Sequence, residues 1–217
     1  SLSKFIVTCC LILNISQAAT IIPISDGQTL FAVKQISPII LEGTIQSGDV
    51  VVQPMKFAEG DFVHISLPGF HTSSGIGSPE LPEIHKLIEI PQNAIPRIEV
   101  VNEEFEYYSL SDYGIEESIF PHQPSLSKSQ DPDDVPFEWN EVLYQTDAFM
   151  EHELISVEIK GQLRSLRLAN LLIRPVDYNP VSGMIRVTKS VDFIIHFDGA
   201  DLIKTETLKE TYYSPYF

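Results

Sequence analysis

The chain has 217 residues, of which 43% are hydrophobic and 20% are charged, and 30 acidic against 14 basic residues give a formal net charge of −16. This composition is too apolar for a disordered chain, and 15 prolines argue against a helical bundle. The acidity excludes an electrostatic role on nucleic acid or anionic lipid. Two interpretations stay open: a charge that keeps an exported domain soluble, or a basic or neutral partner surface.

The first segment has the pattern of a secretory signal peptide over residues 1–18. It contains one lysine, then an apolar stretch of about 11 residues, and then small residues of the kind found at a signal-peptidase cleavage site. The apolar stretch is too short to span a bilayer. Both cysteines, Cys9 and Cys10, lie inside it, so the mature chain from Ala19 has no thiol for a disulfide or a nucleophile. We expect export, by a bacterium, to the cell surface or the medium, with no membrane attachment after signal removal.

The first half of the mature chain shows strand patterns separated by turn residues. From Leu30 to Phe70, short apolar stretches alternate with Gly, Pro, Ser and Asp at the spacing of a β-sandwich. The proline-punctuated segment Gly77–Pro96 contains a short alternating strand over residues 84–90. Residues 97–108 are β-rich but acidic, which predicts an edge strand or a strand with one face exposed, whose charges discourage edge pairing.

The second half continues the same pattern. We predict strands over residues 137–144 and 185–197, the latter interrupted on its apolar face by Lys189, and a more central strand over 164–173 with a bulge near Asn170. The turn at 179–183 is expected to join the last two as a hairpin. No stretch shows sustained helical periodicity. The predicted fold is therefore all-β, a jelly-roll-like antiparallel β-sandwich forming a single domain over residues 19–203.

Residues that could carry catalysis are few and badly spaced. The histidines form no HxxxH or HExxH pattern, and they are His64, His71, His85, His122, His152 and His196. Asp131, Asp133 and Asp134 lack the Gly and the terminal Glu of a calcium loop. Without a nucleophile, a base or a cofactor cradle, we expect no catalytic residue, no metal and no cofactor.

The segment from Pro121 to Pro136 is a long loop with prolines at both ends and inside. Long loops in compact domains are often functional. Lys128 is the only Lys or Arg between Arg97 and Lys160, so one positive charge stands in an acidic stretch. From composition alone a solvated loop lysine is the favoured interpretation.

Several segments together resemble the propeptide of gingipain-type cysteine peptidases. They are GSPELPEIHKLIEIPQNAIP from Gly77 to Pro96, the block 163–197 with its Tyr178-Asn179-Pro180 turn and Gly183, the residues FPHQP at 120–124 followed by Lys128, and the terminal YYSPYF. The resemblance covers residues 75–217, and its most specific part is the YNP turn with its flanking strands.

The resemblance implies a β-sandwich that assists folding of a peptidase and keeps it latent. In that family a loop bearing Arg or Lys can occupy the substrate cleft, which makes Lys128, flanked by Ser127 and Ser129, the pseudo-substrate candidate. The partner would be the cognate cysteine peptidase domain in cis, with its catalytic Cys and His in a following domain outside this chain. The propeptide itself would be a monomer.

Two further expectations concern the C-terminal residues 204–217 and the alternative function. Residues 204–217 are predicted to be a linker in which Lys204 and Lys209 are either activation cleavage points or ordinary polar residues. The alternative to a propeptide is a stand-alone secreted β-sandwich that binds carbohydrate or protein. Its aromatic platform would have to come from Trp139 and the Tyr pairs at 107–108 and 212–213.

Overall fold

The computed structural model describes residues 18–25, 28–128, 131, 135–150 and 152–211. The predicted signal peptide, Ser129, Asp133 and Asp134, and the aromatic tail from Tyr212 lie outside the described residues, apart from position 18. The described residues form a 3₁₀ helix at Leu110–Tyr113, α-helices α1 (Glu141–Tyr144) and α2 (Leu202–Thr211), and twelve strands: β1 Thr20–Ile22, β2 Leu30–Ser37, β3 Ile40–Gln46, β4 Val50–Phe57, β5 Gly60–Ser66, β6 His71–Thr72, β7 Pro82–Ile90, β8 Ile95–Ser109, β9 Ile155–Leu163, β10 Leu166–Ile173, β11 Val176–Asn179 and β12 Met184–Asp198.

The strands form three sheets in which every pairing between named strands is antiparallel. The orders are β1-β4-β5, β6-β7-β10-β9 and β11-β12-β3-β2, and β8 pairs with β12 in the last of these. This architecture confirms the predicted antiparallel β-sandwich. Among the named strands β8 pairs only with β12, which confirms the acidic edge strand. β10 lies between β7 and β9, as predicted for a more central strand, but the bulge is on β9: Leu168 pairs with Gly161 and Ala169 with Ile159, so Lys160 is the extra residue.

Strand β12 runs through both hydrophobic clusters of the domain. Its buried Ile185 and Val187 belong to one cluster with β1, β4 and β5, whereas its later apolar residues join β3, β7 and β10 in the other. Phe193, 1% exposed, lies opposite Gly43 of β3, where a Cβ atom would come within 2.1 Å of the ring. The second core therefore requires glycine at that position.

The predicted interruption of β12 at Lys189 is a β-bulge. Thr188 pairs with Phe105 and Ser190 with Glu104, so Lys189 is the extra residue against β8. Its ammonium group lies 3.6 Å from Glu104 and 3.4 Å from Glu106. The bulge turns the lysine toward the acidic edge strand and lets the apolar alternation of β12 resume beyond it.

Two local predictions were wrong. Residues 137–140 form no strand and Glu141–Tyr144 is a helical turn, with Asn140 as its N-cap. The turn at 179–183 joins β12 to β11, not to β10, because the chain leaves one sheet after β10 and enters another at Val176.

The lack of helical periodicity in the sequence does not exclude a helix, since α2 follows β12. Asp201 starts the helix by accepting from the backbone N–H of Lys204 (2.9 Å), and Thr205 is its one buried residue. A helix that buries so little shows no apolar periodicity in its sequence. Among the described residues no helix has the length and apolar character needed to cross a membrane.

Candidate functional site

The long loop predicted between Pro121 and Pro136 stands on a hydrogen-bonded base. We call residues 124–137 the loop. The loop base consists of the incoming limb 118–123, the outgoing limb 138–144 and the platform segment 77–80. Of the loop, the structure describes residues 124–128, 131 and 135–137; Lys128 is exposed and Leu126 is 46% exposed.

The incoming limb lies between β5 and the platform segment. On one side Val63 donates to the carbonyl of Ser118 (3.0 Å) and accepts from the N–H of Phe120 (2.8 Å). On the other side residues 120–122 pair antiparallel with residues 78–80 through two hydrogen bonds of 2.9 and 2.8 Å, with Pro79 opposite Pro121. Pro79 and Pro121 form a non-hydrogen-bonded pair, a position at which the N–H groups of both residues would point away from the partner segment. Proline has no N–H group, so neither proline removes a hydrogen bond from this ladder.

Gly77 joins the two limbs through its backbone. Its N–H donates to the carbonyl of His122 (2.8 Å), and its carbonyl accepts from the N–H of Asn140 (3.0 Å). Its φ of 73° lies in the left-handed region, and a Cβ atom would come within 3.2 Å of the Asn140 nitrogen. Glycine is therefore required where the platform meets both limbs.

The side chain of Gln123 closes the loop one step further out. Its Nε2 donates to the carbonyls of Pro121 (2.9 Å) and Glu138 (2.8 Å). Its Oε1 accepts from the N–H of Glu138 (2.9 Å). Both backbone polar groups of Glu138 are thus bound by one side chain.

The buried side chain of Tyr144 connects the outgoing limb to the incoming limb. Its hydroxyl donates to the carbonyl of Ile119 (2.6 Å), and its ring stacks on Trp139 with the centroids 4.2 Å apart. Burial, with a smaller effect of nearby Tyr178 and Glu80, raises the pKa of the Tyr144 hydroxyl far above its usual value. The hydroxyl therefore remains a donor at any physiological pH.

Aromatic rings from both limbs pack on β5. Phe62 is the centre of this cluster, with Phe120 at 5.6 Å, Phe137 at 5.7 Å and Trp139 at 5.4 Å between ring centroids. Phe57 stacks on Phe120 at 4.4 Å. The alternation that suggested a strand at 137–144 is the spacing that places two rings on this cluster.

A carboxylate between two histidines completes the base. Glu80 lies 2.8 Å from His122 Nδ1 and 3.4 Å from His64 Nδ1. Burial by itself would raise the pKa of the Glu80 carboxyl, but the hydrogen bonds and charges of the two histidines outweigh it, and the pKa lies below its usual value. The interaction joins β5, the platform segment and the incoming limb.

The two predicted processing lysines lie on α2, away from the loop. Lys204 is exposed, whereas Lys209 Nζ lies 2.8 Å from Glu89 Oε1 of β7. The hydrogen bond to Glu89 raises the pKa of Lys209. Thr205 fixes the helix to the domain by accepting from the N–H of Gln92 (2.9 Å). The linker predicted from residue 204 is therefore helical and docked as far as Thr211.

The site that the structure assembles was only partly visible in the sequence. The loop and Lys128 were predicted, but no role was assigned to Gly77, Glu80, Gln123 or Tyr144. The partners that join them across the loop base lie 15 to 63 residues away along the chain. In the described part of the chain no group of three or more His, Asp or Glu side chains is arranged to hold a metal ion.

Fold and site together define an antiparallel β-domain that presents an exposed loop with a lysine on a rigid base, an arrangement suited to binding. A family model described as Propeptide_C25 matches residues 45–211, and the chain belongs to this propeptide family. The resemblance found in the sequence is thereby confirmed. The matched region is a prodomain rather than a peptidase domain, and a stand-alone binding module is not favoured.

Individual relatives agree with this assignment. The chain is 37% identical over 176 residues to Lys-gingipain HG66 of Porphyromonas gingivalis, which is 81% of this chain and 10% of that protein. It is 26% identical over 146 residues to gingipain R2 of the same organism, covering 66% of this chain and 17% of that protein. The chain therefore spans a tenth to a sixth of the length of these curated relatives.

Two solved structures share the fold. One gives structural insight into the zymogenic latency of gingipain K from Porphyromonas gingivalis, with a TM-score of 0.77, 33% identity, and coverage of 84% of this chain and all of that one. The other, a complex of the RgpB pro- and mature domains, has a TM-score of 0.65 and covers 78% of this chain and 85% of that one. At 17% identity the second supports the fold alone.

Proposed function

We propose that this chain is the propeptide of a secreted gingipain-type cysteine peptidase. It binds the peptidase domain in cis, assists its folding and keeps it latent by placing the loop in the substrate cleft. Lys128 is the pseudo-substrate residue in this proposal, with Ser127 and Ser129 beside it. Secretion is supported by the signal-like residues 1–18 and by the similarity to gingipains.

The observation that carries the proposal is the presentation of Lys128. It is exposed on a loop whose ends are fixed by Gly77 and Gln123, and it is the only Lys or Arg between Arg97 and Lys160. A loop already held at its base loses little conformational entropy when it enters a cleft. A lysine presented in this way fits a specificity pocket that carries negative charge, which indicates a peptidase with a preference for basic residues.

The gingipain K structure, at 33% identity, supports a peptidase domain as the partner, and the RgpB complex is an analogy for the arrangement. One concerns the latency of gingipain K, and the other contains RgpB pro- and mature domains in one complex. By analogy, this prodomain would bind its own peptidase through the face that carries the loop. The sandwich, with its two cores, would act as a rigid support and as a folding template for the adjoining domain.

Lys204 and Lys209 stay candidate processing sites. Both lie on α2, and peptidases cut preferentially at exposed, unstructured segments, so cleavage there would require the helix to unwind. Of the two, Lys209 also has to leave Glu89, which makes Lys204 the more accessible position.

The test is inhibition of the gingipain K peptidase domain by the purified prodomain. We expect inhibition at micromolar concentration or below, and Lys128→Ala should weaken it by about 30-fold or more, because a charged group is lost from a desolvated pocket. Lys204→Ala, which removes another exposed lysine, is the matched control and should leave inhibition unchanged. The melting temperature should be the same for all three proteins.

The possible failures are distinct. Absence of inhibition by the unmodified prodomain at micromolar concentration would contradict the latency function with this peptidase. Equal inhibition by Lys128→Ala would exclude Lys128 from the mechanism while leaving latency in place.

A further inference from the structure

We propose that Gln123 is the positioning residue of the loop, and that its side-chain amide determines how tightly the loop inhibits and how slowly it is cut. The inhibitory half of this inference rests on the proposed function. The structural half, that Gln123 restrains the chain around Lys128, can be tested without any gingipain.

The amide of Gln123 acts as a substitute strand partner for the outgoing limb. It donates to the Glu138 carbonyl and accepts from the Glu138 N–H, as a backbone peptide group would in an antiparallel ladder. Its second N–H is used by the Pro121 carbonyl. The orientation of the amide is fixed by this arrangement, since the reverse one would place its oxygen against two carbonyl oxygens.

A side chain is needed here because the backbone cannot continue the ladder. The bonds of Gly77 to His122 and Asn140 are the last backbone contacts between the limbs through the platform segment. The next residue after Gln123 is Pro124, which has no N–H to donate. Glutamine has both the reach and the two donors with one acceptor that the position uses. Asparagine is one methylene shorter, and glutamate lacks the donors.

We call the hydrogen bonds of Gln123 to Pro121 and Glu138 the clamp. The clamp affects the direction of the chain at the loop base more than the length of the loop. Without Gln123 the next backbone hydrogen bonds that join the two limbs are those of Gly77 with residues 122 and 140, so the segment between the closing hydrogen bonds lengthens by only three residues, from 124–137 to 123–139. The entropy of closing a loop changes very little with so small an increase. What is lost is the hydrogen bonding that fixes the direction of the chain at Gln123 and at Glu138.

The rest of the base should survive loss of the clamp. Phe137 and Trp139 remain packed on Phe62, and Tyr144 remains bonded to Ile119. Gln123 is only half-buried, so its removal creates no core cavity. We therefore expect Gln123→Ala to lower the melting temperature by less than about 4 °C.

The first experiment measures restraint of the loop in the isolated prodomain. Trypsin hydrolyses the Lys128–Ser129 peptide bond, adding water to give a carboxylate on Lys128 and an amine on Ser129, and mass spectrometry follows this product. Gln123→Ala should accelerate the cut by about tenfold, the factor expected for losing the net contribution of one or two hydrogen bonds. The amide proton of Glu138 should exchange faster by a similar factor, because its acceptor is Gln123 Oε1.

Two further variants separate the clamp from a general effect of mutation. Gln123→Glu keeps an acceptor for the Glu138 N–H but loses both donors and should also accelerate the trypsin cut. Gln162→Ala removes the same side chain from the β9–β10 hairpin, where its Nε2 donates to the Arg164 carbonyl (2.9 Å), and should not change it. An unchanged rate of cutting in Gln123→Ala would overturn the inference.

The second experiment measures inhibition of the gingipain K peptidase domain. Gln123→Ala should weaken inhibition by about tenfold, mainly through faster dissociation, and should shorten the time before the prodomain is cut. If Lys128→Ala weakens inhibition and Gln123→Ala does not, the inhibitory half of the inference is wrong. If neither variant affects inhibition but trypsin cuts Gln123→Ala faster, the clamp is confirmed and Lys128 is excluded from the mechanism.

Discussion

Tyr144→Phe tests whether the hydrogen bond between Tyr144 and Ile119 stabilises the loop base. Tyr144 is 8% exposed, and its hydroxyl donates to the Ile119 carbonyl at 2.6 Å. The change removes one oxygen atom and leaves the ring stacked on Trp139, so packing is conserved. The carbonyl of Ile119 then lies in a buried region without this donor.

The expected loss of stability has two parts, the lost hydrogen bond and the unpaired Ile119 carbonyl. A hydrogen bond of this kind contributes a net ~1 kcal/mol, and an orphaned buried carbonyl adds a desolvation cost, so we expect a loss of about 2 kcal/mol in the free energy of unfolding. For a domain of this size, that corresponds to a fall of about 4–8 °C in melting temperature. Urea unfolding should show a lower midpoint with an unchanged m-value.

Tyr108→Phe is the matched control. The Tyr108 hydroxyl donates to the exposed carboxylate of Glu106 at 2.9 Å on the edge strand, so its loss should change stability by less than about 0.5 kcal/mol. Equal effects of the two substitutions would refute the argument, because they would show that the contact with Ile119 contributes no more than a surface hydrogen bond.

The remaining predictions concern pH and the second core. Because the pKa of Glu80 is lowered in the folded state, its contribution to stability is present above its unfolded pKa, about 4.3, and is lost as the pH falls through the folded pKa. Urea unfolding from pH 6 to pH 3 should therefore show a steeper acid loss for the wild type than for Glu80→Gln, and parallel curves would exclude the contacts with His64 and His122 as the cause. Gly43→Ala should destabilise the domain by about 3 kcal/mol through its clash with Phe193, and this cost should nearly vanish in a Phe193→Ala background. Additive effects in that double-mutant cycle would contradict the clash.

The strands of the sandwich could be predicted because their signal is local. Apolar alternation along residues 185–197 indicates one buried face whatever the partner strand is, and β12 has that face. The acidic pattern of residues 97–108 likewise indicates an edge. The same reasoning failed at Phe137 and Trp139, because an alternating pair of rings can pack on a neighbouring strand without forming one.

The sequence by itself determined the class of fold, the family and the loop with its single lysine, since each depends on neighbouring residues or on a contiguous motif. Only the tertiary structure revealed what holds that loop. Gly77, Glu80 and Tyr144 contact residues 16 to 63 positions away, and Gln123 contacts Glu138 across the loop itself. Such contacts leave no periodic trace, because a hydrogen bond between distant residues depends on where the folded sheets place them. The proline-punctuated segment from Gly77 therefore appears as a simple strand entry in the sequence and becomes the platform of the loop in the folded domain.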